Sequence, residues 1–138
     1  MYIIKTCIFL LLILYASISD IKKREVSGFI PLCILITGLI NTNINELPMM
    51  LLAMIFVSIP SFIVAMNDPS CYGGADIKFM GACAFVLGIE RGILAMILGL
   101  SIGIITTKVK RKIKKQNLKE AFPVVPCLAI GTAFSYFI

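Results

Sequence analysis

The chain has 138 residues, of which 59% are hydrophobic and 14% charged, and its formal net charge is +6. A soluble domain contains roughly 45–50% apolar and about 25% charged residues, so this chain has more apolar surface than a fold of its size can bury. The composition excludes an ordinary soluble domain and predicts a membrane protein. The basic residues lie between apolar runs, which argues against nucleic acid as a partner.

Apolar runs long enough to be membrane helices recur along the whole chain. A span needs about 20 mainly apolar residues, and the first run is too long for the core of a signal peptide, so it is predicted to be a retained helix. The sequence thus predicts an all-α polytopic helix bundle that forms a single transmembrane domain over residues 1–138. The six predicted spans are 2–19, 27–42, 47–66, 76–90, 92–107 and 121–138.

Three local features qualify these spans. The second and fourth are short and are expected to lie inside the bundle or to thin the bilayer. The fourth and fifth are alternatively one element broken around residues 90–92. Pro60 lies inside the third span and predicts a kink, because proline removes one helix hydrogen bond.

The distribution of Lys and Arg predicts the orientation. Cytoplasmic connections are enriched in these residues. With both termini outside, the cytoplasmic connections hold all of the 13 basic residues except Lys5 and Arg91. Asp20, at the end of the first span, and Asp76, at the start of the fourth, then both lie at the cytoplasmic face of the cell membrane. This coincidence is independent of the orientation argument, which used no acidic residue.

The cysteine and histidine content limits the chemistry. The five cysteines are scattered without a CxxC pair, and the chain has no histidine. We therefore expect free cysteines that behave as small hydrophobes, no metal site and no cofactor. The absence of histidine also argues against a serine or cysteine triad.

Asp20 and Asp76 are the acidic residues whose positions suggest a function. Each has an alternative interpretation of about equal weight when it is considered alone. Asp20 is alternatively a boundary residue paired with Lys23 or Arg24, and Asp76 is alternatively a helix N-cap. Glu25 and Asp68 are weaker candidates, and the other three acids, Glu46, Glu90 and Glu120, are expected to be solvated.

Together the two aspartates predict a catalytic pair. Ionisable residues at membrane depth are usually functional. Two carboxyl groups held close share a proton, so that one acts as a base on water and the other as an acid toward a carbonyl oxygen. Gly73 and Gly74, with Ala75, let another chain approach Asp76 closely, and Lys78 is expected to point away from it.

Three segments resemble the motifs of the type IV prepilin peptidases, in the order of that family. Residues 73–78, Gly-Gly-Ala-Asp-Ile-Lys, resemble its GxGD-x-K signature. Residues 20–26 resemble its first motif, an Asp followed by basic residues, and residues 123–131 resemble its Pro-Phe-Gly-Pro-x-Leu-Ala-x-Gly motif. The chain departs from the family at Ala75, which replaces a glycine, and at residues 27–28, where Pro-Asn is usual.

The resemblance implies an intramembrane aspartic endopeptidase with Asp20 and Asp76 as catalytic residues and Gly73, Gly74, Ala75 and Lys78 shaping the site. The substrate would be a prepilin or pilin-like protein of a type IV pilus or secretion system, cut between its basic leader and its apolar helix. The chain resembles the short, peptidase-only members, which lack the cysteine-paired cytoplasmic domain and the N-methyltransferase activity of larger ones.

Two further expectations concern charge. Asp76 near a helix N-terminus is expected to start as the base, and Asp20 near a C-terminus as the acid. The basic run between residues 108 and 119 is expected to anchor the topology and to attract anionic lipid headgroups.

Functions of two other classes remain open at this point. Paired intramembrane carboxylates also serve small ion-coupled transporters, and a small membrane protein can be a non-catalytic scaffold of a secretion or pilus assembly system. The sequence leaves the oligomeric state undetermined.

Overall fold

The helices follow the apolar runs of the sequence. The computed structural model describes residues 2–23, 27–40, 42–67, 74–114 and 124–138. These ranges contain a short 3-10 turn, Ile44–Glu46, and six α-helices, which confirms the predicted all-α fold. The helices are α1 (Tyr2–Lys23), α2 (Phe29–Leu39), α3 (Leu47–Asn67), α4 (Gly74–Leu87), α5 (Ile89–Lys114) and α6 (Val125–Phe137).

Long and short helices alternate along the chain. α1, α3 and α5 contain the apolar stretches that are long enough to cross a membrane, Ile3–Lys22, Ile44–Ile63 and Ile89–Thr106. α2, α4 and α6 have 11, 14 and 13 residues. At 1.5 Å per residue they are about 16–21 Å long, less than the roughly 30 Å of a hydrocarbon core. The short second and fourth spans are confirmed, and the described part of the sixth is short as well.

The boundary between α4 and α5 differs from the prediction. The break lies at Gly88, whose φ is +83°, and not around residues 90–92. Glycine adopts this left-handed conformation without the penalty that a Cβ carries, and it commonly ends a helix in this way. The polar residues Glu90 and Arg91 belong to the first turn of α5. They therefore lie inside a helix and not at the break between α4 and α5.

The predicted end of the fifth span, residue 107, agrees with the apolar stretch, which ends at Thr106, but the helix itself is longer. α5 continues through the first part of the basic run to Lys114. Lys and Arg are good helix formers, so the change in charge marks where the apolar stretch ends and not where the helix ends. Pro60 lies inside α3, which continues to Asn67; the kink stays a prediction.

Polar contacts join several helices at one end of the bundle, which we call the Lys5 end. The Lys5 ammonium donates to the Gly38 carbonyl at 3.0 Å, so the start of α1 lies beside the end of α2. The hydroxyls of Thr6 and Tyr136 are 2.7 Å apart, which brings the end of α6 to the same place. Ser135 donates to a main-chain carbonyl in the first turn of α5 at 2.6 Å.

The helices therefore run alternately up and down. A Cβ on Gly38 would lie 2.7 Å from the Phe85 ring, so α4 also ends at the Lys5 end. The opposite end, which we call the Asp end, holds the end of α1 and the starts of α4 and α6. Asp20 and Asp76 both lie there, as the predicted six-span topology requires.

α4 is the interior helix of the bundle. It packs against α2, α3, α5 and α6, and eight of its 14 residues are buried. An interior position agrees with so short a helix, because α4 is surrounded by other helices and not by lipid along most of its length.

Candidate active site

Asp20 continues the buried face of α1 into the last turn of that helix. Phe9, Ile13 and Ala16 are 0–2% exposed, and Asp20 follows them at the same helical spacing with 7% exposed. Residues three, four and seven positions apart share one helix face. The Asp20 side chain is therefore directed into the bundle, whereas its neighbours Ile21 and Lys22 are exposed.

Asp76 occupies the equivalent position on α4. It is 9% exposed and lies on the same face as Phe79, Met80 and Cys83, which are fully buried. Because α4 begins at Gly74, Asp76 is the third residue of the helix. The alternative that Asp76 is the N-cap is therefore wrong, and its carboxyl group lies among the inward-facing residues of the first turn.

A third element, the first turn of α6, contacts Asp20 directly. The backbone N–H of Val125 donates to Oδ2 of Asp20 at 3.3 Å, slightly longer than the usual range for such a bond. Asp20 thus lies at the C-terminal end of its own helix and at the N-terminal end of α6. The expectation that Asp20 starts as the acid considered the dipole of α1 alone, and α6 opposes that dipole.

The contacts of α4 and α6 with α5 show how far along the bundle Asp76 and Asp20 lie. A Cβ on Gly92 would lie 3.1 Å from the Ala84 Cβ, and the neighbouring Arg91 carbonyl accepts the hydrogen bond from Ser135. Ala84 on α4 and Ser135 on α6 therefore lie at the same level, one turn into α5.

From that level, both helices run back toward the Asp end. Asp76 lies eight residues from Ala84, about 12 Å along α4, and Val125 lies ten residues from Ser135, about 15 Å along α6. Since Val125 touches Asp20, the two carboxylates lie within a few ångströms of the same depth.

The helices that carry the two aspartates are connected through two other helices. In the described residues, no Cα of α1 lies within 8 Å of a Cα of α4. α2 and α6 each contact both of these helices. The two aspartates therefore lie on helices whose backbones are bridged by α2 and α6, and the first turn of α6 contacts Asp20.

The remaining predicted site residues are placed as follows. Gly74 begins α4 and is exposed, and no described atom lies within 4 Å of a Cβ built there. Ala75 is partly buried against the core, and Lys78 is exposed, so it points away from buried Asp76 as predicted. Gly73 lies outside the described residues, as does Arg24; the side chain of Lys23 is not described either, so the proposed pairing of Asp20 with these cations stays untested.

Sequence reasoning missed the contact of Asp20 with Val125, because a backbone N–H leaves no mark in a sequence. The inward orientation of Asp20 did have a signal. The spacing of Phe9, Ile13 and Ala16 continues to Asp20 at helical period, which distinguishes an inward-facing acid from a boundary residue.

Comparison with known proteins gives one match. A profile of the type IV leader peptidase family matches residues 7–107, a segment that includes both aspartates. No curated protein and no solved structure matches the chain significantly.

Proposed function

Because the chain belongs to the type IV leader peptidase family, a family of membrane peptidases, we propose that it is an intramembrane aspartic endopeptidase whose catalytic pair is Asp20 and Asp76. Two buried carboxylates at similar depth, on the same end of the bundle, support this activity. Family membership favours it over the ion-coupled transporter and the scaffold.

The chemistry needs no group beyond the two carboxyls and water. One carboxylate takes a proton from water as the water oxygen bonds to the carbonyl carbon of the scissile peptide, and the protonated partner gives its proton to the carbonyl oxygen. When the C–N bond breaks, the first carboxyl protonates the leaving amine, and a hydroxyl proton returns to the second. Each aspartate faces one helix N-terminus, so the pair is best treated as a unit in which either residue serves as the base.

The proposed substrate is a prepilin or pilin-like protein with a basic leader before an apolar helix. The distribution of Lys and Arg supports an orientation with the Asp end at the cytoplasmic face of the cell membrane, where such a leader would lie. Gly74, which no described side chain covers, supports an approach of the substrate backbone to Asp76 from this side. The basic residues of α5 then lie near anionic headgroups and help to hold this orientation.

The test is cleavage of a candidate prepilin by the purified protein in nanodiscs, followed by mass spectrometry. We expect wild-type protein to cut at the leader boundary and Asp20→Asn and Asp76→Asn to cut at least about 100-fold more slowly. Glu90→Gln is the matched control, because it makes the same change in an exposed carboxylate at the Lys5 end. Cleavage by either aspartate variant at the wild-type rate, with normal insertion, would contradict the proposal, and loss of ion flux in liposomes instead would support the transporter.

We also propose that the product is not methylated. The mass of the new amino terminus in cells that express this chain with its substrate is expected to equal that of the unmodified peptide. An added methyl group that requires this chain would contradict the peptidase-only assignment.

A further inference from the structure

We propose that the first turn of α6 is a positioning element of the active site and that the backbone N–H of Val125 holds the Asp20 carboxylate in its working orientation. This inference rests on the proposed function. It assigns a role in the reaction to a backbone group 105 residues away from Asp20 along the chain.

The contact is enclosed by the bundle. Val125 is 0% exposed and Asp20 is 7% exposed, and they meet through N···Oδ2 at 3.3 Å. Water competes poorly for a buried donor and acceptor, so a hydrogen bond between them is retained and its loss is costly.

In the first turn of α6, Val125 has a backbone N–H that is available to bond a group outside the helix. Pro126, the next residue, has no N–H. The N–H groups of Cys127 and Leu128 both donate to the carbonyl of Val124, at 3.0 and 3.1 Å. The N–H of Val125 belongs to the first turn, where a helix offers no internal acceptor, and Asp20 supplies one.

The position of Val125 is fixed by the packing of α6 on α5. A Cβ on Gly131 would lie 2.6 Å from the Ala95 carbonyl oxygen and 2.7 Å from the Gly99 nitrogen, so the two backbones are in direct contact. α6 also packs against α4, the helix that carries Asp76. α6 therefore bonds Asp20 through its first turn and also packs against the helix that carries Asp76.

The hydrogen bond selects one orientation of the carboxyl group. The terminal torsion of an aspartate is broad and roughly two-fold, so packing alone leaves the two oxygens poorly defined. With Oδ2 bonded to the N–H of Val125, Oδ1 is left to face the reacting water or the substrate carbonyl. Orientation of this kind increases the rate of the chemical step without strengthening substrate binding.

The test replaces the amide of residue 125 by an ester, using the hydroxy acid that corresponds to valine, which removes the N–H and keeps the side chain. Because the bond is slightly long, we expect kcat to fall by about 10-fold, the lower part of the range for hydrogen bonds to charged groups, with KM unchanged. The matched control is an ester at Leu128, which removes a hydrogen bond to the Val124 carbonyl within α6 and leaves Asp20 untouched.

Equal kcat for the wild-type protein and the residue 125 ester, or an equal loss in the Leu128 control, would overturn the inference. A wild-type protein that does not cleave would contradict the proposed function instead. In that case hydrogen exchange still tests the contact between Val125 and Asp20. The Val125 amide should exchange at least about 10-fold faster in Asp20→Ala than in the wild-type protein. It should stay protected in Asp20→Asn, because asparagine keeps an acceptor oxygen. Unchanged exchange in Asp20→Ala would overturn the inference on its own.

Discussion

The two ends of the bundle are built differently. At the Lys5 end, neutral side chains and one ammonium fasten neighbouring helices to one another: Thr6 bonds Tyr136, Ser135 bonds the Arg91 carbonyl, and Lys5 bonds the last turn of α2. Each of these groups forms a hydrogen bond with a group on another helix. The ring of Tyr136 also packs against that of Phe9 on α1, with 5.4 Å between the ring centres.

At the Asp end, two helices each place a buried carboxyl group at the end of their buried face. No Cα of α1 lies within 8 Å of a Cα of α4 in the described residues, and a backbone N–H of α6 contacts Asp20. Ionisable groups at membrane depth are commonly functional, which agrees with the proposed catalytic role of this end. Under the proposed function, contacts that stabilise the bundle and the catalytic groups lie at opposite ends, so substitutions at the two ends should have different effects.

The largest expected effect is on catalysis at the Asp end. Each of Asp20→Asn and Asp76→Asn should lower kcat/KM by about 10²–10⁴-fold, and the double variant should be no worse than the single ones, because the two groups act as one unit. The measurement is single-turnover cleavage of a prepilin in nanodiscs. Losses that multiply in the double variant would show that the residues act independently.

A smaller effect is expected where α6 packs on α5, between the two ends. Gly131→Ala puts a methyl group against main-chain atoms of α5 that cannot move away alone. We expect the free energy of unfolding to fall by about 1–3 kcal/mol. Gly103→Ala is the matched control on α5, since its Cβ would have ordinary contact at 3.9 Å with Cys127.

Unfolding of the purified protein in mixed micelles with increasing SDS measures this difference. If Gly131→Ala and Gly103→Ala were equally stable, the close packing that fixes α6, and with it Val125, would be contradicted.

The smallest effect is expected from the hydroxyl pair of the Lys5 end. In a double-mutant cycle of Thr6→Val and Tyr136→Phe, the coupling free energy should be about 0.5–1.5 kcal/mol, the usual net worth of one hydrogen bond. The kcat of all three variants should equal that of the wild-type protein. A selective loss of kcat in these variants would show that the two ends are not separate in function.

The sequence was sufficient for the helices but not for their contacts. Apolar runs predicted the number and order of the helices, and the short fourth span agrees with the interior position of α4. The boundary at Gly88 was misplaced because polar residues drew attention to Glu90 and Arg91, whereas a positive φ at a glycine ends the helix. The extension of α5 to Lys114 was missed for a related reason. Basic residues end the apolar stretch, but they continue the helix.

The sequence proposes the residues of the candidate site, and the structure adds their placement. Asp20 and Asp76 could be selected from their positions in the chain and from the motifs around them. The bond from Val125 depends on how α6 packs against α1, a tertiary contact that no local pattern encodes. The structure explains why a glycine stands at position 131, the last residue of the third motif: it lets the backbone of α6 approach that of α5.

The most direct test of the account is cysteine cross-linking between positions 20 and 76. In a chain without its native cysteines and with a protease site between α2 and α3, Asp20→Cys and Asp76→Cys should be joined by a short bifunctional thiol reagent, so that the fragments stay together after proteolysis. The pair Asp20→Cys and Glu90→Cys, at opposite ends, should not be joined. Failure of the first pair together with linkage of the second would contradict a shared site at the Asp end.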